Sequence, residues 1–287
     1  MFQGHLEPAV IKHALSSYIS EARALLKQEP APDEKAVHDI RVLMKKSRAV
    51  MKLISWGIDK EEFKKDYLAF REVGRITRSW RDTSVHRKTL LGLKKKYPEL
   101  FTLLYSDTVL GSLMNTTDPV VDLGETLKDE LWNIDGILNK AGYRIRFCNI
   151  GSLTHEGLIG QLEGTYEQVS DIYIRARNNP KPGNLHRFRK RAKDFLYQLF
   201  YFRFLNEALV TEMEESLDQM TQNLGKFNDL AQLIMALDYK YSGLSDQPVF
   251  DELILRIRDE QDSYLAKVWP AAYNIFCPGQ KLVNLLG

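Results

Sequence analysis

Five side chains able to carry charge or a proton recur at helical spacing early in the chain. They are His38, Arg41, Lys45, Arg48 and Lys52, within VHDIRVLMKKSRAVMKLI at residues 37–54. At about 100° per residue they fall in roughly one quadrant of a helix, and Ile40, Leu43, Met44, Met51 and Ile54 lie opposite. One side is built to bury, and the other is a row of cations headed by an imidazole. Such a row can follow an extended phosphate polymer. The planar arginine fork donates two parallel hydrogen bonds to phosphate oxygens, and lysine adds a mobile point charge. An imidazole, ordinarily titrating near about 6.5, is driven toward its charged form by neighbouring phosphates, which predicts tighter binding as pH falls from about 8 to about 6.

A single row of this kind is ordinarily a solvated helix face, but here it recurs. In LHRFRKRAKDFLYQLF, from Leu185, His186, Arg189 and Lys193 repeat the offsets of His38, Arg41 and Lys45, 148 positions later in a chain of 287 residues. Lys190 points close to the same face, whereas Lys46, Arg187 and Arg191 point away from it. Each row is followed by a glycine inside a helical pattern: Gly74 comes 36 residues after His38, and Gly225 comes 39 after His186. Two features in the same order at nearly the same interval argue for an internal duplication. Glycine costs about 1 kcal/mol against alanine inside a helix, so close helix–helix approach is expected at both positions. Arg71, Arg75 and Arg78 share a face beside Gly74, with Glu72 and Asp82 near enough to pair with them.

The bulk properties place any anion binding in these local clusters. Net charge is only +2, too small for a global field that would coat nucleic acid non-specifically. The two cysteines, Cys148 and Cys277, form neither a disulfide framework nor a metal pair. MFQGHLEPAV lacks the regions of a secretory leader, and no apolar run is long enough to cross a bilayer. A soluble cytoplasmic protein with no cofactor is the expectation.

Periodicity predicts helices throughout, and no strand-like alternation persists between turn signals. The expected helices cover about 5–28, about 33–56, about 59–80, a segment through Leu90 and Leu93, about 119–140, about 152–177, about 184–206, about 211–241 and a last pair within 250–275. Residues 106–118 read as a connection, and Asn178–Asn184 and Ser242–Pro248 as breaks. The pattern also breaks around Gly142–Gly151, dividing the chain into repeats at about 1–147 and 148–287. The class is all-α, each half a helical bundle.

The repeated H-x-x-R-x-x-x-K unit with its following glycine segment resembles the CHAD family, the conserved-histidine α-helical domain. The resemblance implies two tandem four-helix bundles related by a pseudo-twofold, forming one unit with a basic central channel. It further implies binding of inorganic polyphosphate and association with polyphosphate granules. His38, Arg41, Lys45 and Arg48 match the first motif, and His186, Arg189 and Lys193 match the second. Leu196 stands where the family commonly has an arginine, while Gly225, Asn228 and Asp229 match the glycine segment well. In the first half, Thr77-Arg78 replaces the family's Arg-Asp pair, so Arg78 becomes a further candidate cation. The expected polyphosphate contacts are therefore His38, Arg41, Lys45, Arg48, Lys52, Arg78, His186, Arg189, Lys190 and Lys193, with no catalytic group and no metal ligand.

Two rival functions follow from the same residues. His38-Asp39 is the dipeptide that supplies two ligands in HD-type metal-dependent phosphohydrolases, with His5 and His13 upstream. Against an enzyme, Arg41, Lys45 and Arg48 would surround a divalent ion with cations, and the repeat keeps the cations rather than the aspartate. A nucleic-acid-binding module is disfavoured because single-strand binders interleave aromatics with cations on one face, and the His38 row has none. Phe188, Phe195, Tyr197, Phe200, Tyr201, Phe202 and Phe204 crowd the second basic helix mainly on the side away from His186, as core residues do.

Overall fold

The computed structural model describes residues 6–29, 31–104, 124–241 and 247–286, which form helices and turns without a strand. The principal helices are α1 (Pro8–Leu26), α2 (Glu34–Ile54), α3 (Lys60–Lys96), α4 (Pro98–Leu103) and α5 (Gly124–Phe147). They continue with α6 (His155–Asn178), α7 (Pro182–Leu199), α8 (Glu207–Tyr241), α9 (Gln247–Ile275) and the short α10 (Leu282–Leu285). A 3-10 turn, Phe200–Phe202, follows α7. None of these helices is long and apolar enough to cross a membrane.

Local chemistry sets the starts of the helices that matter. Asp33 caps α2 by accepting from the Ala36 N–H, and Asp59 caps α3 by accepting from Glu61 and Glu62. Thr154 caps α6 through Gly157 N–H, and Pro182 sits in the first turn of α7, where a missing N–H costs nothing. The expected connection at 106–118 and residues 242–246 of the expected break Ser242–Pro248 lie outside the described residues, as do His5 and Pro119, whereas Gln247 and Pro248 already open α9.

Two expected divisions are absent. The helix expected to stop near Trp80 continues as α3 for 37 residues, about 55 Å at 1.5 Å per residue. Its apolar pattern lapses after Trp80 but resumes at Leu90 and Leu93, which pack with α4, α8 and α9 in a second apolar cluster. The last pair is one helix, α9, which runs through Pro270. α7 begins at Pro182 and ends at Leu199, short of the expected 206.

Helices α1, α2, α3 and α5 pack in a ring of neighbours, and α6, α7, α8 and α9 succeed one another in contact. A salt bridge from Arg23 to Asp135 joins α1 to α5, and one from Arg144 to Asp66 joins α5 to α3. A single apolar core runs through both sets, from Ile11 and Met44 to Phe195 and Phe276. The two sets meet where α2 lies against α7. There the buried Gln198 donates to the Ala49 carbonyl at 2.8 Å, and Lys52 Nζ reaches Asp194 Oδ2 at 2.5 Å. With Lys52 opposite Asp194 and Ala49 opposite Gln198, the two basic helices run antiparallel.

Candidate functional site

The amphipathic pattern of α2 buries Ile40, Leu43, Met44, Val50 and Leu53, which leaves Arg41, Lys45, Arg48 and Lys52 half-buried along one edge. That edge borders a cavity of about 350 Å³ enclosed by α2, α3 and α7, near the lower end of the range for small-ligand pockets. Helix α2 contributes Arg41, Lys45, Arg48 and Lys52 to its wall. From α7 come His186, Arg189, Lys190 and Lys193, with Asp194 and Tyr197. Along α3 the wall is Tyr67, Arg71, Gly74, Arg75 and Arg78. Ten lysines and arginines thus face one space with a single carboxylate, Asp194, among them.

Nine of the ten expected contacts line this cavity, and His38 does not. It is exposed near the start of α2, whereas α2 meets α7 toward its other end, at Ala49 and Lys52. The two histidines are therefore not equivalent in position. His186 Nδ1 lies 3.1 Å from Asn228 Oδ1, and because an amide oxygen only accepts, the imidazole proton sits on Nδ1 there.

The two motif arginines each reach across to the helix that carries the following glycine. Arg41 Nη1 donates to the Gly74 carbonyl at 2.8 Å and to Thr77 Oγ1 at 3.2 Å. Arg189 Nε donates to the Thr221 carbonyl at 3.0 Å. The glycines serve this contact unequally. A Cβ at Gly225 would stand 3.0 Å from Arg189 Nη2 and 3.1 Å from its Nε, while one at Gly74 would meet nothing within 4 Å. The expected reason for these glycines, close helix–helix approach, is thus replaced at Gly225 by room for an arginine side chain. At Gly74 the structure shows no crowding to explain the residue.

Several wall cations already have acidic partners. Lys52 pairs with Asp194, Lys193 with Asp218 at 2.7 Å, and Arg75 with Glu72 at 2.6 Å. The Lys52 and Asp194 side chains are only 20% and 12% exposed, so this pair holds α2 to α7 in partial shelter from water. Among the described residues Arg48 bonds only its own helix, at the Met44 carbonyl 3.3 Å away. Arg71 and Lys190 are exposed and have no ion-pair partner among the described residues.

Sequence reading overlooked Tyr67, Tyr197 and Asp194. The periodicity that could have found them is there, since Tyr67 precedes Arg71 by four residues and Tyr197 follows Lys193 by four. Tyr197, expected among the core aromatics, packs half-buried against the core and also forms part of the cavity wall. Each ring carries an ammonium over its face: Lys52 lies 5.7 Å from the Tyr67 centroid and Lys193 5.6 Å from that of Tyr197. Those faces are occupied by cation–π contacts. Burial pushes the Tyr197 hydroxyl up to about 12, against the pull of Arg189 in the other direction, so it faces the cavity neutral and able to donate. Among the described residues no group of three or more His, Cys, Asp and Glu side chains is placed to hold a metal ion.

The second basic helix and its glycine segment have a recognised counterpart. Residues 150–238 match the CHAD domain. The CHAD match covers α6, α7 and most of α8, and includes His186, Arg189, Lys190, Lys193 and Gly225. It spans 89 of the 287 residues and leaves α2 and α3 outside. No similar sequence was found among the curated proteins.

Proposed function

We propose that this protein is a CHAD protein over its whole length and binds inorganic polyphosphate, without catalysis, in the cavity between α2, α3 and α7. On this reading the first half is a diverged copy of the matched region, so that two four-helix units related by a pseudo-twofold frame a basic channel. The observation that carries the proposal is the convergence of ten cationic side chains on one cavity in a chain whose net charge is only +2. Folding brings together two basic rows 148 positions apart and adds three arginines from α3. Gathering like charges is unfavourable without a counter-charge, and a phosphate polymer with about one charge per unit supplies it. The half-buried arginines present forks to phosphate oxygens, and exposed Arg71, Arg78 and Lys190 receive the chain at the mouth.

Nucleic acid shares the phosphate chemistry but needs stacking faces for its bases, and lysines already cover both wall tyrosines. RNA should therefore compete poorly. The cellular role consistent with this reading is cytoplasmic association with polyphosphate granules.

The test is calorimetric titration with long-chain polyphosphate at two salt concentrations, on the natural protein and on R48A/R71A/K190A. These three residues are not needed to join helices. Salt-sensitive binding, with the slope of log K against log salt reduced by about two in the variant, is expected from the loss of three contacts at about 0.7 each. Absence of binding by the folded natural protein at about 0.1 M salt, where charge screening reaches about 10 Å, sinks the proposal.

A further inference from the structure

The cationic wall gives way on one side to a wall of mixed charge. Past Tyr197 a second cavity opens, of about 390 Å³, which shares Tyr197 with the first. Leu196 near the end of α7 and Phe200 in the turn after it face Glu214, Glu215 and Asp218 of α8, with Lys46 of α2 and Arg203 also in the wall. By the repeat offset, Leu196 and Phe200 occupy the positions of Arg48 and Lys52. Two cations of the first row thus have apolar counterparts in the second. The glycine segments diverge in the same sense. Counting from Gly225 as from Gly74, Asp218, Gln222 and Asp229 stand where α3 has Tyr67, Arg71 and Arg78. No residue of α8 lines the cationic cavity, and Asp218 instead draws Lys193 toward α8.

We propose that the polyanion track ends at Tyr197, so that the protein contacts a tract of no more than about ten phosphates, one for each wall cation at about one charge per phosphate. This rests on the polyphosphate reading above. The α2 row from Arg41 to Lys52 spans eleven steps, about 16 Å at 1.5 Å each, which suits a short tract rather than a long wrapped one. Beyond it, a chain passing Tyr197 would meet Glu214, Glu215 and Asp218. Arg203 at 2.6 Å offsets Glu214, and Lys193 offsets Asp218. Lys46 lines the same cavity, but Glu215 is exposed and has no ion-pair partner among the described residues, so its charge is the one left to repel the chain. The chain therefore enters and leaves on the α3 side, past Arg71 and Arg78.

The experiment is titration with polyphosphates of about 5, 10, 20 and 100 units, followed by the same series on E215K. For the natural protein, per-site affinity should rise to about ten units and then level off, and a 100-unit chain should take up about one protein per ten phosphates. E215K should bind the 5-unit chain as before and the 20- and 100-unit chains about threefold more tightly or better, the effect of one exposed charge pair. Affinity that keeps rising well past ten units, or E215K indistinguishable from the natural protein at every length, overturns the short-track proposal while leaving polyphosphate binding intact. Failure of every length to bind overturns the underlying functional reading.

Discussion

The unequal surroundings of Gly74 and Gly225 yield opposite expectations for the same substitution. Alanine in a helix interior is favoured over glycine by about 0.5–1 kcal/mol, because less backbone freedom is lost on folding. At Gly74 a methyl group meets nothing within 4 Å, so G74A should stabilise the protein by about that amount. At Gly225 the methyl would lie 3.0 Å from Arg189 Nη2 and 3.1 Å from Nε. The guanidinium must move, and its 3.0 Å bond to the Thr221 carbonyl stretches or breaks. A hydrogen bond from a charged donor contributes about 1.5–3 kcal/mol, so G225A should destabilise by about 0.5–2.5 kcal/mol after the helix gain is subtracted. Urea unfolding followed by circular dichroism reads both changes directly, with R189A in the G225A background as a control. Once the arginine is gone, G225A should become stabilising. If G225A stabilises as much as G74A with Arg189 present, or if R189A leaves the penalty unchanged, glycine is not there to admit the arginine.

Other perturbations separate ligand binding from architecture. D194N removes the one carboxylate in the wall and strands Lys52 in partial burial; it should lower stability by about 1–3 kcal/mol yet strengthen polyphosphate binding, as denaturation and calorimetry would show. H186Q should weaken polyphosphate binding, because His186 lines the cavity, whereas H38Q, outside it, should leave the affinity unchanged, as calorimetry would show. The Arg23 hydrogen bond holds the Asp135 carboxyl below its ordinary range. A carboxylate lowered in the folded state adds stability above its unfolded value, about 3.9, and loses it as pH falls through the folded value. D135N should therefore cost about 1 kcal/mol at pH 7, a modest figure because both side chains are about a third exposed, and nearly nothing near about pH 2, as thermal unfolding at the two pH values would show.

The parts of the site that follow from period alone were legible in the sequence. Arg41, Lys45, Arg48 and Lys52 lie on one stripe of α2, and His186, Arg189, Lys190 and Lys193 on one stripe of α7, because the opposite faces are apolar enough to fix each helix's rotation. The α3 stripe has the same period, but Glu72 stood as a rival explanation for Arg75, and Arg75 in fact both pairs with it and lines the cavity. What periodicity lacks is distance. Lys52 and Asp194 are 142 residues apart, and nothing local to either says that they meet, so the balance of charge in the wall was hidden. The displacement of His38 has the same origin, since it depends on how far along α2 the seam with α7 falls. For α3, the polar run after Trp80 suggested a stop, but docking of Leu90 and Leu93 against α8 and α9 overrides that weak local preference.

The two halves use the same chemistry for different ends. On α7, His186 is tied to Asn228, Arg189 to Thr221 and Lys193 to Asp218, all on α8. These contacts fix the second row against its own neighbour and reduce the charge it offers. On the other side, α3 presents Arg71 and Arg78 where α8 has Gln222 and Asp229, so the first half places more cations in the wall than the second does. The wall is then asymmetric: α8 ties down the α7 row, and α2 and α3 supply seven of its ten lysines and arginines. Rigidity on one side lowers the entropy lost when a flexible polymer is captured, and exposed cations on the other side raise the rate of encounter. Neither half alone provides both, because the α7 row needs α8 to hold it and needs α2 and α3 to complete the cavity. Separating the halves should therefore abolish binding even where each retains its helices.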